Sequence, residues 1–157
     1  MTGLFSSRIG RRLRGDSGQS LLEAGFITPL LLLLTFAIVD FSALLYVHLA
    51  LQNGVSQASR YGVTGAVAGP GVSREDSIRQ AMRTATPTLT LGNGAFAFSH
   101  LSPGSGGWAA GSGGPNDVDK VTVNYEWTML TPVLRPFFPT GKISFTVESI
   151  MKNERVF

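Results

Sequence analysis

The sequence contains no cysteine and few charged residues. Without cysteine, the protein has no thiol catalysis, no cysteine-ligated zinc or iron–sulfur site and no disulfide bond. Charged residues make up 15% of the 157 residues, while 19 glycines and 8 prolines favour loops and strands around a modest core. The chain is long enough for one domain and an additional segment.

The positive net charge is confined to the start of the chain. Residues 1–18 account for the whole formal charge of +3, and the rest of the chain sums to zero. The charged residues of this segment are Arg8, Arg11, Arg12, Arg14 and Asp16. Neither interleaved basic and aromatic residues nor a helix-turn-helix pattern accompanies them, so nucleic-acid binding is not expected. The arginines instead suit an orientation signal ahead of a membrane segment.

A long apolar run follows the basic segment. Residues 24–51 include one charged side chain, Asp40, and would extend about 42 Å as a helix, against a hydrocarbon core of about 30 Å. We predict a transmembrane segment at about 24–44, with the N-terminus in the cytoplasm and the C-terminus outside. A cleaved secretory signal is the alternative, but this run is longer than a typical signal and ends without a small-x-small site.

The apolar pattern continues beyond the predicted membrane segment. Apolar residues at steps of three and four form one stripe of a helix whose other faces become polar: Leu44, Val47, Leu51, Val55 and Ala58. We therefore predict one long helix over 19–61, ended by the glycine-rich segment 62–71. A helix of this kind needs a packing partner on its outer half, either its own domain or neighbouring copies.

Residues 62–157 predict a small α+β domain outside the membrane. Ser73 and Asp76 resemble a capping box that opens a short helix over 74–85, before Pro87. Alternating apolar residues predict antiparallel strands at 121–127 and 143–148, and 88–98 is a candidate third strand. The Gly-, Ser- and Pro-rich residues 99–116 predict a flexible loop in which Trp108 is the possible attachment point. The sheet is expected to cover the amphipathic half of the long helix.

The motif with chemical meaning lies just before the apolar run. In Gly18-Gln19-Ser20-Leu21-Leu22-Glu23, a glycine follows the basic segment and a glutamate opens the membrane helix, which is the layout of a type IV prepilin cleavage site. Further motifs follow at Phe26 and Pro29, Val39-Asp40-Phe41, Leu51-Gln52-Asn53, Gln57-Ala58-Ser59-Arg60-Tyr61, Leu130-Thr131-Pro132 and Met151-Lys152-Asn153-Glu154. In order and context they resemble the TadE-like family, minor pilins of tight-adherence (Tad or Flp) pili. The resemblance covers both ends of the chain and hardly any of 62–117.

The resemblance implies a processed protein. A membrane prepilin peptidase would cut between Gly18 and Gln19 on the cytoplasmic side, removing the basic leader 1–18. Glu23 would then set the register of an incoming subunit by pairing with the new amine at Gln19. The alternative is that Glu23 is only an interfacial carboxylate favoured by the helix dipole. Asp40 could be an assembly contact or could mark the outer membrane interface, and the second interpretation is preferred, because a carboxylate at the bilayer centre costs about 2.5–3.5 kcal/mol.

The expected function is structural. We find no catalytic set, no glycine-rich phosphate loop and no metal-ligand spacing around the two histidines, His48 and His100, so neither enzyme activity nor a cofactor is expected. By resemblance, the chain is a minor pilin or pilin-like assembly protein of a bacterial inner membrane, acting in pilus biogenesis, adhesion or secretion. Its partners would be the prepilin peptidase, other pilin subunits and the Tad inner-membrane assembly platform. The alternatives are an uncleaved single-pass protein whose outer domain binds an envelope partner, and a membrane-tethered enzyme.

Overall fold

The computed structural model describes residues 16–155 and the side chains of 18–155. The four arginines of the predicted leader lie outside the described residues. Two helices and four strands follow in the order α1 (Asp16–Val63), α2 (Arg74–Ala85), β1 (Phe96–Leu101), β2 (Ala109–Ala110), β3 (Val118–Thr128) and β4 (Lys142–Lys152), with short 3-10 turns at Asn93–Ala95 and Arg135–Phe137. The predicted α+β fold is confirmed.

Helix α1 is one element that extends slightly further at both ends than the predicted range 19–61. Pro29 lies inside it and has no N–H to donate to the preceding turn, a loss that membrane helices tolerate. All side chains of residues 18–35 are exposed, whereas buried side chains begin at Asp40. The helix is long and apolar enough to cross a membrane. The first half of α1 is therefore bare, meaning that its side chains are exposed, whereas its second half packs within the outer domain.

The core forms around the outer half of α1. The predicted stripe is confirmed, because Val47, Leu51, Val55 and Ala58 are all buried and Leu44 packs against them. The residues that complete this core come from α2, the sheet and the connections next to them: Ile78, Met82, Leu89, Leu91, Phe96, Val121, Val123, Trp127, Met129 and Val147. Burial of each large apolar side chain stabilises the domain by about 1.5–3 kcal/mol. The outer domain thus uses the membrane helix as its central element.

The sheet is antiparallel throughout, with strand order β2-β1-β3-β4. Val123 pairs with Val147 on one side and Phe96 on the other, which places three core side chains in one row across the sheet. The two predicted strands are confirmed and are longer than predicted. The candidate third strand begins only at Phe96.

The predicted loop 99–116 needs correction. Residues 99–101 belong to β1, and Ala109 and Ala110 form the short edge strand β2, because they pair with His100 and Ser99. Trp108 does have a partner, since Lys120 Nζ lies 4.6 Å from the centre of its ring. Composition indicated a loop here, but pairing with β1 depends on backbone groups that composition does not reveal.

Helix α2 has the predicted bounds and packs closely on α1. The Ser73 hydroxyl accepts from the Asp76 N–H at 3.1 Å and donates to Asp76 Oδ2 at 2.7 Å, which caps the first turn. Ile78 faces Gly62, and Thr86, just after the helix, faces Gly54. The helix therefore runs antiparallel to α1, back towards its membrane half.

Arg74 joins several elements at the distal end of the outer domain, the end around Val63. Its guanidinium donates to the carbonyl of Gly62 at 2.6 Å and to that of Gly113, to Asn153 Oδ1 at 2.9 Å, and it pairs with Asp119 Oδ2 at 2.9 Å. A cation at the C-terminal end of α1 also suits the helix dipole. This arginine therefore fixes the end of α1 to β3 and to the residues after β4.

Asp117 secures the loop that leads into β3. The Gly114 N–H donates to Asp117 Oδ2 at 2.8 Å, and this bond, assisted by the Ser102 side chain, lowers the pKa of Asp117 from its ordinary value of 3.8. A lowered folded-state pKa stabilises the fold above the ordinary value, and that contribution is lost as the pH falls through the lowered one. The contribution of Asp117 to stability is therefore present at neutral pH.

We expect Gly54→Ala to destabilise the outer domain. A Cβ at this position would lie 2.5 Å from Thr86 Cγ2 and 3.2 Å from Met82 Cε, so the helices or the buried side chains must shift. Overpacking costs about 1–3 kcal/mol, whereas alanine gains at most roughly 1 kcal/mol over glycine in a helix. Thermal unfolding of the full chain in detergent, followed by near-UV circular dichroism, measures the loss.

Thr86→Ser provides a matched rescue of that variant. Serine lacks the methyl group but keeps the hydroxyl, which donates to the Met82 carbonyl at 2.8 Å. The double variant G54A/T86S should melt above Gly54→Ala alone. A melting temperature of Gly54→Ala equal to or above that of the wild type would contradict the close helix approach.

Candidate functional site

The predicted cleavage residues lie in the first turn of α1. Gly18 and Gln19 are both exposed, and a Cβ added at Gly18 would meet no atom within 4 Å. The side chain of Gln19 points along the helix, where its Nε2 donates to Glu23 Oε1 at 3.1 Å. The structure thus brings two of the predicted site residues into contact, in a segment whose surroundings do not obstruct access.

Glu23 is an exposed carboxylate at the border of the apolar run. Gln19 is one helical turn before it, so an amine at residue 19 would start from the same face of the helix. Leu21, Leu22 and Phe26 around it are each more than 60% exposed. In lipid or among other helices, this carboxylate needs a polar or charged partner. The Gln19 amide provides one.

A stripe of exposed apolar side chains runs along α1 opposite the core. It consists of Ile38, Phe41, Leu45 and Leu49, each more than half exposed, and we call it the outward stripe. At 100° per residue, Leu45 and Leu49 lie on the side of the helix away from the buried Val47. The outward face then turns polar at Asn53. The outward stripe therefore continues the bare membrane half of α1 along the side of the outer domain.

The side chain of Asp40 is buried, because only 1% of it is exposed. Its carboxylate accepts from the backbone N–H of Leu130 at 2.7 Å and of Thr131 at 3.2 Å, and from the Thr131 hydroxyl. The partners come from the connection between β3 and β4. Neither interpretation from sequence had included this contact, because no local signal links Asp40 to a loop 90 residues later. Asp40 fixes that loop to the midpoint of the long helix.

The remaining polar residues form no chemical centre in the described part of the chain. His48 Nε2 lies 3.0 Å from Gln52 Nε2, and His100 Nδ1 lies 3.0 Å from the Gly111 carbonyl, so each histidine has a local partner. Between residues 16 and 155 no cluster of three His, Asp or Glu side chains could hold a metal ion. The exposed face of α1 therefore offers apolar contact area, with the exposed carboxylate of Glu23 at its start.

We expect Asp40→Ala to loosen the connection between β3 and β4. The variant leaves the part-buried N–H groups of Leu130 and Thr131 without their acceptor, which costs about 1–3 kcal/mol. Hydrogen exchange at these two amides should accelerate in the full chain in detergent. Asp40→Asn keeps an acceptor oxygen and should stay closer to the wild type. Unchanged exchange in Asp40→Ala would contradict this role.

Comparison with known proteins gives one match. Residues 18–60 match the family model described as TadE-like protein, while no curated protein and no solved structure matches the chain. The matched segment begins at Gly18 and ends within the last turn of α1, so it includes Glu23, Asp40 and the outward stripe but none of the sheet. The family is associated with the Tad pilus and is not known for enzymes. Over residues 18–60, the segment that forms its long helix, the chain is similar to the TadE-like family.

Proposed function

We propose that this protein is a minor pilin or pilin-like assembly protein of a Tad (Flp) pilus. It is made in the bacterial inner membrane with its N-terminus in the cytoplasm, is cut by a prepilin peptidase after Gly18, and joins other pilin subunits at the Tad assembly platform. The observation that carries the proposal is the bare apolar length of α1, inside the matched segment 18–60. The outer domain would serve pilus biogenesis, adhesion or secretion.

The bare half of α1 has two successive environments in this proposal. The leucines at 30–34 are exposed and cannot remain in water, because each would forgo about 1.5–3 kcal/mol of burial. Lipid covers them before assembly, and neighbouring pilin helices cover them afterwards. The outward stripe reaches Leu49, about 37 Å from Ala24 along the helix, beyond a hydrocarbon core of about 30 Å. Its outer end therefore favours a protein partner.

Cleavage would change the partner of Glu23. Removal of residues 1–18 leaves an ammonium group on Gln19, one turn from the carboxylate that now accepts from the Gln19 amide. A charge-assisted pair is roughly twice as strong as a neutral hydrogen bond, and its value rises away from water. The amine of the same chain or of a neighbour could supply it. In either case Glu23 favours a fixed axial position for the cleaved helix.

The second candidate is an uncleaved single-pass protein whose outer domain binds an envelope partner. A cleft of about 430 Å³ between the end of α1 and α2 favours it, with walls formed by Gln57, Tyr61, Ala68, Ser77, Gln80, Ala81, Thr84 and Ala85. Processing separates the two candidates, because only the pilin requires a new N-terminus at Gln19.

Gly18→Trp should block processing without affecting membrane insertion. A Cβ added at Gly18 meets no atom within 4 Å, so we expect the defect to arise at the peptidase rather than in the fold. Gly25→Trp is the matched control, because Gly25 also lies in α1 with open space around it but follows the cleavage site. The measurement is mass spectrometry of the membrane-bound product after coexpression with a prepilin peptidase.

The expected N-terminus is Gln19 for the wild type and for Gly25→Trp, and Met1 for Gly18→Trp. A wild-type product that keeps Met1, or one that begins near residue 51, would contradict processing as a pilin. Loss of insertion in Gly18→Trp would show that the leader acts as a targeting signal instead.

Leu49→Glu should prevent incorporation into pili while leaving the fold intact. Leu49 is 56% exposed on the outward stripe, so the charge disturbs no core contact, but it would be buried against a neighbouring helix. Loss of one buried leucine corresponds to roughly tenfold or more in association. Asn53→Glu, one turn further on the exposed face, is the control. Quantitative blotting of sheared pili and membranes measures the distribution. Equal incorporation of both variants would contradict assembly through this stripe.

A further inference from the structure

The connection between β3 and β4 exposes three large apolar side chains. We call residues 129–141 the β3–β4 loop. Within it Leu130 is 58%, Val133 41% and Phe137 69% exposed, although the loop belongs to the folded domain and contributes Met129 and Leu134 to the buried residues. Exposed apolar groups gathered in one connection indicate a contact surface rather than scattered exposure.

The position of the β3–β4 loop along α1 is fixed by Asp40. The carboxylate accepts from the N–H groups of Leu130 and Thr131, so this part of the loop lies level with residue 40. Asp40 is about 24 Å along the helix from Ala24 and about 33 Å from Gly18. A hydrocarbon core about 30 Å thick that begins between Gly18 and Ala24 therefore ends close to Asp40. The loop lies at the outer edge of that core.

The partial burial of α1 supports the same position for the outer edge of the hydrocarbon core, close to Asp40. Every side chain from 18 to 35 is exposed, but Phe36 and Ala37 are half-buried, one turn before Asp40. The outer domain thus reaches slightly below Asp40, towards the bilayer centre. Next to it, an apolar cavity of about 200 Å³ is bordered by Phe41, Leu44, Met129, Leu134 and Phe138, together with Asp40.

Most residues of the β3–β4 loop either lack an N–H group or donate it within the chain. Three of its residues, Pro132, Pro136 and Pro139, have no N–H group. Other N–H groups donate within the chain: those of Met129, Leu130, Thr131, Phe137, Phe138 and Gly141. Non-helical backbone is tolerated at membrane depth only when its polar groups are satisfied by protein or by water. At the start of the loop, Asp40 accepts the hydrogen bonds that the N–H groups of Leu130 and Thr131 donate.

We propose that the β3–β4 loop inserts into the outer leaflet of the same bilayer that α1 spans, with Leu130, Val133 and Phe137 in contact with lipid. The occupant is lipid because the loop is continuous with the bare surface of the membrane helix at the level where the bilayer ends. Arg135 is exposed between these residues and suits anionic headgroups. The proposal rests on α1 spanning the membrane, as in the proposed function.

Loop insertion would attach the outer domain to the membrane at a second point besides α1. Since Asp40 joins loop and helix, tilting or lifting the domain would draw apolar side chains out of lipid. A subunit entering a filament would have to withdraw the loop from the bilayer. The loop would thus favour the membrane-resident form of the protein until neighbouring subunits replace lipid at these side chains.

The test uses nitroxide labels on single cysteines, for which the natural chain provides no background because it has no cysteine. The full chain is reconstituted in vesicles of phosphatidylethanolamine and phosphatidylglycerol, and collisions of each label with oxygen and with a water-soluble nickel complex are measured. Phe137→Cys and Val133→Cys report on the loop. Val67→Cys is the matched control, because Val67 is apolar and 52% exposed but follows the distal end of α1. Leu33→Cys reports on the membrane helix.

We expect high oxygen and low nickel accessibility at 33, 133 and 137, and the reverse at 67. Lipid contact at 33 with water contact at both 133 and 137 would overturn the loop insertion alone. Water contact at 33 would overturn the membrane span, and with it this proposal and the proposed function. Protection at 137 that disappears when the protein is diluted into more lipid would identify a neighbouring subunit as the occupant and would also overturn it.

Discussion

The outer domain can be built only around the outer half of α1. Leu51 and Val55 lie at the centre of the core, and α2 and the sheet contact α1 from two sides, so the domain has no complete core without the helix. Burying these side chains also fixes the helix, because a helix this long gains its stability in water from packing rather than propensity. Whatever moves α1 along its axis therefore moves the whole outer domain with it.

The second constraint is the change of solvent along the same helix. Residues 24–34 require an apolar environment, whereas Asn53 and Arg60 require water, and Asp40 lies between them. A free carboxylate at this border would be costly, and free backbone N–H groups of a loop beside it would be costly too. The contact of Asp40 with Leu130 and Thr131 satisfies both at once. The border between the apolar and the aqueous part of α1 is thus formed by residues from both halves of the chain.

Sequence could predict the elements whose signals are local. The stripe from Leu44 to Ala58 follows from helical periodicity, and the cap at Ser73 with Pro87 defines α2 to the residue. Sequence could not predict the strand pairing of Ala109 or the partner of Asp40, because both depend on contacts between segments distant along the chain. The cleft beside α2 and the exposure of the β3–β4 loop were missed for the same reason. The start of β1 was placed too early, since apolar residues such as Leu89 and Leu91 enter the core without pairing in the sheet.

The restriction of the family match to the long helix has a physical explanation. The TadE-like segment 18–60 includes the bare apolar length, the outward stripe and the core stripe, so one stretch of sequence determines the contacts on opposite sides of α1. On the core side, any sheet of suitable width with apolar residues in alternation can cover Val47 and Leu51, because buried apolar packing tolerates exchange when volume and pattern are kept. On the outward side the requirements are stricter, since Glu23 and Leu49 would meet groups at fixed heights on other chains. In the proposed function, α1 is therefore the part of the molecule that must satisfy assembly and folding together.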